Sequence, residues 1–319
     1  MGRKRFSGVY PILYAFYDAN GRLDPAAMAV QVEHCIAAGA HGIAVLGLVT
    51  EVNRLSTDER RQVVEMVGAA IGGRVPYAVT IAEQAPEAQI DFAEMAAAHG
   101  ADWVILQPPP GKGLSEEVLH RHFGTIADAA PLPVAIQNNP VNLDSSLTPD
   151  SLATLLRRHP NISLLKAEGW SVDIAKVISL LDGKVDAFGG HGGLEFLSLM
   201  ASGGRGLIPA PDVLALQVAM FEALAGSDAE ARRLAGEIHR EILPLIVFMT
   251  RNIGGLLTYG KRLMAKRLGL DAVHDRQPLV PATAFGLAEM ERLYADALDT
   301  ERRLLPPLQA RLAEVRNTA

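Results

Sequence analysis

The stretch "HGIAVLGLVTEVNRLSTDERRQVVEMVGAAI", residues 41–71, contains one complete structural unit. Ile43 to Leu46 are apolar without alternation, which suits a strand covered on both faces. Ser56 and Glu59 stand at the spacing of a capping box, just before apolar residues that recur at helical intervals, so a helix begins there. Residues 48–55 are then the loop between a strand end and a helix start. A strand buried on both faces and followed at once by a helix is the repeating unit of a parallel sheet.

The unit recurs in both directions. Upstream lie an apolar run at 8–14 and a helical pattern at 24–39. Downstream, strands are predicted at 74–81, 101–107, 132–137, 162–166, 185–190 and 206–210, with helical patterns at 86–98 and 115–129. Together with 41–47 these make eight strands in strand-helix alternation, which predicts an α/β fold of the (β/α)8 TIM-barrel class. An open doubly wound sheet is the competing arrangement. It usually carries G-x-G-x-x-G after its first strand, and "ILYAFYDANG" at 12–21 lacks it. Beyond residue 225 only helical patterns follow, so the expected organisation is a barrel over 1–224 and a C-terminal helical region over 225–319.

Composition removes several classes of function. With 49% hydrophobic and 21% charged residues in 319, the chain can bury a large core and has no signature of disorder. The net charge is −6 and the one basic cluster, Arg3 to Arg5, is short, which argues against nucleic acid as a partner. Cys35 is the only cysteine, so neither an intramolecular disulfide nor a Cys-rich metal site can form, and a reducing compartment is the simplest reading. It reads as a small core residue of the first helix. The N-terminal apolar run is broken at Pro11, and no uninterrupted run approaches the roughly 20 residues that span a bilayer. A soluble, cytoplasmic protein with no membrane partner is expected.

Barrels of this class carry their chemistry at the C-terminal mouth, formed by strand ends and the loops after them. Those positions are "GLVTE" (47–51), "QPPPGKG" (107–113), "QNNP" (137–140), "KAEGW" (166–170), "GGHGG" (189–193) and "IPAPD" (208–212). Strand 6, "ISLLKAEGW" at 162–170, ends in Lys166 and Glu168. Side chains alternate faces with period two, so both project to the same side, and Gln137 ends the strand expected beside them. Two readings stay open on these residues alone. One is a structural ion pair, since burying an unpaired ammonium costs on the order of several kcal/mol. The other is a desolvated amine that forms a Schiff base with a ketone while the carboxylate relays protons.

Several motifs together resemble a known family. They are "GVYPIL" (8–13), "GLVTEVNRLSTDER" (47–60), "GRVPYAV" (73–79), "QNNP", "HPNISLLKAEG" (159–169), "GGRGLIPAP" (203–211) and "RQPL" (276–279). The chain is similar through them, from about residue 7 to about residue 290, to the dihydrodipicolinate synthase and N-acetylneuraminate lyase family. The resemblance implies a class I aldolase-like lyase in which Lys166 forms a Schiff base with pyruvate or another 2-oxo acid, with no cofactor. It also implies a homotetramer, a dimer of dimers, with the C-terminal helices beside the barrel.

Departures from the family pattern narrow the chemistry. The family's Gly-Thr-Thr-Gly-Glu is here Gly47-Leu48-Val49-Thr50-Glu51, so both relay threonines are absent. The tyrosine that ends strand 5 is replaced by Gln137, which cannot titrate. Pro109 and Pro110 stand where an aromatic pair includes the tyrosine lent by a neighbouring subunit, and Asn142 replaces the arginine for a second carboxylate. These replacements argue against the synthase reaction itself. The arrangement is most similar to 2-keto-3-deoxy-L-arabonate dehydratase within the family, through Gln137, Lys166 with Glu168, and Thr50.

That likeness implies dehydration of a 2-keto-3-deoxy sugar acid. An iminium at C2 acidifies C3, and Glu168, directly or through a water held by Gln137, removes that proton and helps the C4 hydroxyl leave. The substrate carboxylate is expected on the Thr50 hydroxyl and the backbone N–H groups of the 47–50 loop. Gly47, Val49, Thr50, Asn138, His191 and Ile208 are the expected substrate-binding residues. Against these stand plainer readings: Thr50 satisfying its loop backbone, His191 facing solvent, and Trp170 packing on the next helix rather than walling the pocket. Glu51 is expected to make a structural contact. His120 and His122 fall on the fourth helix with no third ligand, so no metal site is expected. A pyruvate-dependent aldolase, in cleavage or condensation, competes because the same iminium supports it. A barrel that only binds a keto acid is a third reading, and the retained amine of Lys166 argues against it.

Overall fold

Eight strands run parallel in the order β1-β8-β7-β6-β5-β4-β3-β2. They are β1 (Gly8–Val9), β2 (Ile43–Val45), β3 (Tyr77–Ile81), β4 (Trp103–Leu106), β5 (Val134–Asn138), β6 (Ile162–Ala167), β7 (Asp186–Gly189) and β8 (Gly206–Leu207). The computed structural model describes residues 4–276 and 280–318. Arg3 of the basic cluster and residues 277–279 of the "RQPL" motif lie outside the described residues. The seam between β1 and β2 is joined by single bonds. The amides of His41, Ala44 and Leu13 donate to the carbonyls of Val9, Pro11 and Ala44 at 2.9–3.0 Å. The sheet therefore closes into the (β/α)8 barrel that the alternation predicts.

Two strands are shorter than the sequence suggests, with a common cause. The runs at 8–14 and 206–210 are regular only over their first residues, because Pro11 and Pro209 have no N–H for the ladder. The chain stays extended, and Tyr10 and Ile12 still donate to the carbonyls of Leu207 and Pro209.

Helices α1 (Pro25–Ala37), α2 (Thr57–Ile71), α3 (Pro86–Ala98), α4 (Glu116–Ala129), α5 (Pro149–Arg158), α6 (Ser171–Leu180), α7 (Phe196–Ala201) and α8 (Leu214–Ala225) surround the barrel. Their starts are written in side chains. The Ser56 hydroxyl accepts from the Glu59 amide at 3.2 Å while the Glu59 carboxylate accepts from the Ser56 amide at 2.9 Å. Asp24, Ser115 and Thr148 cap α1, α4 and α5 in the simpler way. Inside the barrel, Tyr10, Trp103 and Phe188 from three strands pack with ring centroids 5.3–5.5 Å apart and close its lower half.

The chain continues as α9 (Ala229–Thr250), α10 (Ile253–Gly255), a π-helical turn (Leu256–Gly260), α11 (Lys261–Leu268) and α12 (Ala284–Thr318). Helix α12 packs along α9 and α8. Resemblance set all these helices beside the barrel, yet the end of α9 lies over the mouth. His239 bonds the Gly193 carbonyl at 2.9 Å, and a Cβ on Gly192, whose φ is +63°, would sit 3.1 Å from Ile246 and Thr250. A buried ion pair ties this region to the barrel. The Lys261 ammonium donates to the Glu51 carboxylate and stands 5.0 Å over the Tyr17 ring, and Arg54 reaches Glu51 at 3.1 Å. Cys35 is buried in α1, where desolvation pushes its thiol pKa far up. Among the described residues no single helix is long and apolar enough to cross a membrane.

Candidate active site

Register brings the expected side chains together. Gln137 of β5 is the direct neighbour of Lys166 on β6, and Phe188 flanks Lys166 on the other side. Lys166 and Glu168 are both buried at the mouth, with the ammonium 3.7 Å from the Glu168 Oε2. The Gln137 amide donates to that same oxygen, and Asn139 donates to it at 3.0 Å. Gln107, at the end of β4, donates to the Gln137 Oε1 at 3.0 Å. Because its oxygen is held by Gln107, Gln137 presents its NH2 group to Glu168 and orients the carboxylate beside the lysine.

Two glycines make this packing possible. A Cβ on Gly190 would fall 2.4–2.7 Å from the side chain of Glu168. One on Gly47 would meet Ile12 at 2.2 Å and lie 3.6 Å from the Lys166 Nζ. Gly47 thus leaves open the space in front of the amine. The amides of Leu48, Val49 and Thr50 in the loop beyond it carry no hydrogen bond among the described residues. An anionic group seated by Gly47 has backbone donors available there.

Two of the expected binding residues are placed differently. The Thr50 side chain is fully buried, donates its proton to the Leu13 carbonyl at 2.7 Å and accepts from the Leu46 amide at 3.0 Å. A hydroxyl engaged on both sides has no proton for a substrate carboxylate, so Thr50 anchors its loop to the extended segment after β1 instead. Asn138 faces away from the mouth, because period two puts 137 and 139 on the inner side. Its amide brackets the backbone of Leu147, accepting at 2.8 Å and donating at 3.1 Å. Asn139 and Gln107 are the polar mouth residues that sequence reasoning missed.

The remaining candidates line the cavity in front of Lys166. Val49 and Leu48 form one wall, Ile208 another, and His191 and Asn142 the rim. His191 has a positive φ of 49° and its Nε2 is 3.2 Å from the Asn142 amide, which in turn donates to Asn139. Trp170 is 62% exposed and borders a second hollow on the far side of Glu168. The roof of the cavity comes from Leu245, Ile246, Met249 and Thr250 of α9 with Ile253 and Leu256 after it. At the inner end sits Asp212. The Tyr14 hydroxyl lies 3.0 and 3.2 Å from its two carboxylate oxygens, and burial pushes its pKa up to about 6 against the lowering effects of Tyr14 and Arg267. Among the described residues no three His, Cys, Asp or Glu side chains are placed to hold a metal ion, and His120 instead bonds Ser151 at 2.8 Å.

Known proteins share this frame. A family model described as the dihydrodipicolinate synthetase family matches residues 5–296. The 4-hydroxy-tetrahydrodipicolinate synthase of Hyphomonas neptunium (strain ATCC 15444) is 33% identical over 299 residues, covering 91% of this chain and 98% of its own. Among solved structures, the 4-hydroxy-tetrahydrodipicolinate synthase of Methylacidiphilum fumariolicum SolV matches with a TM-score of 0.87 and 21% identity, over 95% of this chain and 99% of its own. The sialic acid aldolase of Ruminococcus gnavus matches with a TM-score of 0.85 and 22% identity, over 94% of this chain and 100% of its own. At those identities the likeness to the two structures is one of fold.

Proposed function

The chain belongs to the dihydrodipicolinate synthetase family and is a lyase, and from the groups around its buried lysine we propose that it dehydrates a 2-keto-3-deoxy acid of the sugar-acid type through a Schiff base on Lys166. The observation that carries the reading is the carboxylate beside the amine. Glu168 lies 3.7 Å from Lys166, oriented by two amides that cannot titrate.

In this reading the Lys166 nitrogen adds to the C2 ketone and water leaves, forming an iminium. The substrate carboxylate rests on the amides of Leu48, Val49 and Thr50, in the space that Gly47 leaves. The iminium draws electrons from C3, and Glu168 takes the C3 proton to give an enamine. The enamine electrons then expel the C4 hydroxyl as Glu168 returns that proton, so water is lost and a conjugated iminium remains. Addition of water at C2 releases the unsaturated 2-oxo acid and restores the amine. One carboxylate serves both transfers because it is emptied and filled once per cycle.

The test combines product analysis with borohydride trapping. Across a panel of 2-keto-3-deoxy acids the expected product retains every carbon, and pyruvate release marks retro-aldol cleavage instead. Borohydride with pyruvate is expected to reduce an adduct onto Lys166. Glu168→Gln is expected to keep that adduct while single-turnover dehydration slows by roughly two to four powers of ten. Near parental turnover in Glu168→Gln overturns the assignment, as does an adduct on Lys261 or none at all.

A further inference from the structure

The C-terminal region makes the cavity in front of Lys166 two-sided. Toward the rim are groups that bond a polar substrate: the amine, Glu168, Asn142 and His191. Toward the roof the surface is Ile246, Met249, Ile253 and Leu256, continued below by Leu48 and Val49. Few polar side chains lie on that side. The Thr250 hydroxyl donates to the Ile246 carbonyl at 2.7 Å within its own helix. Gln217 donates to the Gly192 carbonyl at 2.9 Å, while its Oε1 is buried without a hydrogen-bond partner. Asp212 shares the Tyr14 hydroxyl and is the one charged side chain lining the roofed end among the described residues.

We infer that this roofed end is a subsite for an apolar tail, and that the substrate is a 2-keto-3-deoxy acid whose chain beyond C4 is alkyl rather than polyhydroxylated or carboxylated. The inference rests on the Schiff-base dehydration at Lys166 given above and replaces the sugar-acid chain of that reading with an alkyl one. With C1 on the amides of the 47–50 loop and C2 on Lys166, the C4 hydroxyl stays by Glu168, and the atoms beyond C4 run under α9. A hydroxyl carried there exchanges water for apolar surface and loses its hydrogen bonds, whereas a methylene gains by burial. A second carboxylate meets the Asp212 side chain and finds no cation among the lining residues described other than Lys166, which the imine engages.

Two six-carbon acids separate the cases, 4-hydroxy-2-oxohexanoate and 2-keto-3-deoxygluconate. Both carry the C4 hydroxyl, and they differ in the hydroxyls on C5 and C6. With the full chain, kcat/KM for loss of water and the concentration that halves borohydride trapping of pyruvate are measured for each. The alkyl acid is expected to be favoured by about tenfold per hydroxyl removed, so by about 100-fold in all. Met249→Gln, close in size and polar, is expected to narrow that ratio about tenfold. Equal or better performance of 2-keto-3-deoxygluconate, with both acids trapped on Lys166, overturns the tail subsite and leaves the proposed reaction standing. Failure of any 2-oxo acid to be trapped on Lys166 overturns the proposed reaction, and the subsite with it.

Discussion

Glu168 depends on an absence next to it. The nearest obstacle to its side chain is a β-carbon that Gly190 does not have, so Gly190→Ala is expected to push the carboxylate off the lysine. The φ of Gly190 is −130°, outside the left-handed region, and the expected effect comes from the contact with Glu168. Turnover is expected to fall about 100-fold, the scale of a small misplacement of a reacting group, with pyruvate still trapped on Lys166 and the melting temperature little changed. Asp212 gives a second test, of stability. Its folded pKa, about 6, lies above the ordinary value of 3.8, so the folded state favours the protonated acid. That contribution is fully present below about pH 4 and is lost as pH rises through about 6. Asp212→Asn keeps an oxygen for Tyr14 and carries no charge, so it is expected to gain on the order of 3 kcal/mol at pH 7.5 and nothing at acid pH. Urea unfolding of both proteins at pH 7.5 and pH 4 measures the difference. Residue by residue, the mouth was partly legible in the sequence. Period two along strand 6 pairs Lys166 with Glu168; the same rule along strand 5 points to Asn139, whereas the expected residue was Asn138. Thr50 was not legible, because its hydroxyl is claimed by a carbonyl 37 positions earlier in the chain.

Elements were clearer than their ends or their neighbours. The capping box at Ser56 and the apolar runs locate strands and helices, while Pro11 and Pro209 shorten two ladders that composition alone extends. Helix α9 is the element whose role was hidden. Leu245, Ile246 and Met249 recur as a core stripe does, and a stripe that packs on a barrel reads the same as one that roofs its mouth. What holds that region in place is open to measurement. Lys261 of α11 and Glu51 of the loop after β2 form a fully buried pair. Lys261→Met leaves Glu51 to Arg54 and Glu51→Gln leaves Lys261 to Asp275, so each alone is expected to cost about 1–3 kcal/mol, and the two together less than their sum. A double-mutant cycle by urea unfolding gives the coupling, and additive losses contradict it.

At the scale of the whole molecule, the family resemblance leads us to propose a homotetramer, a dimer of dimers. Pro109 and Pro110 stand where the family resemblance implies a tyrosine lent by a neighbour, and we propose a site built from residues of a single chain. Light scattering at micromolar concentration is expected to show four copies, and a monomer contradicts the assembly. If the tetramer is split by substitutions at its interfaces, trapping of pyruvate on Lys166 is expected to persist. The path of α9 over the mouth has one more consequence, a historical one. The proposed reacting groups come from strands in the middle of the chain, and the ceiling above them comes from residues 245–256, much later in the sequence. On the proposed reading, selection can rewrite what the cavity accepts without touching how Lys166 reacts, and grafting that short segment from another member of the family is a direct route to new substrates on an old reaction.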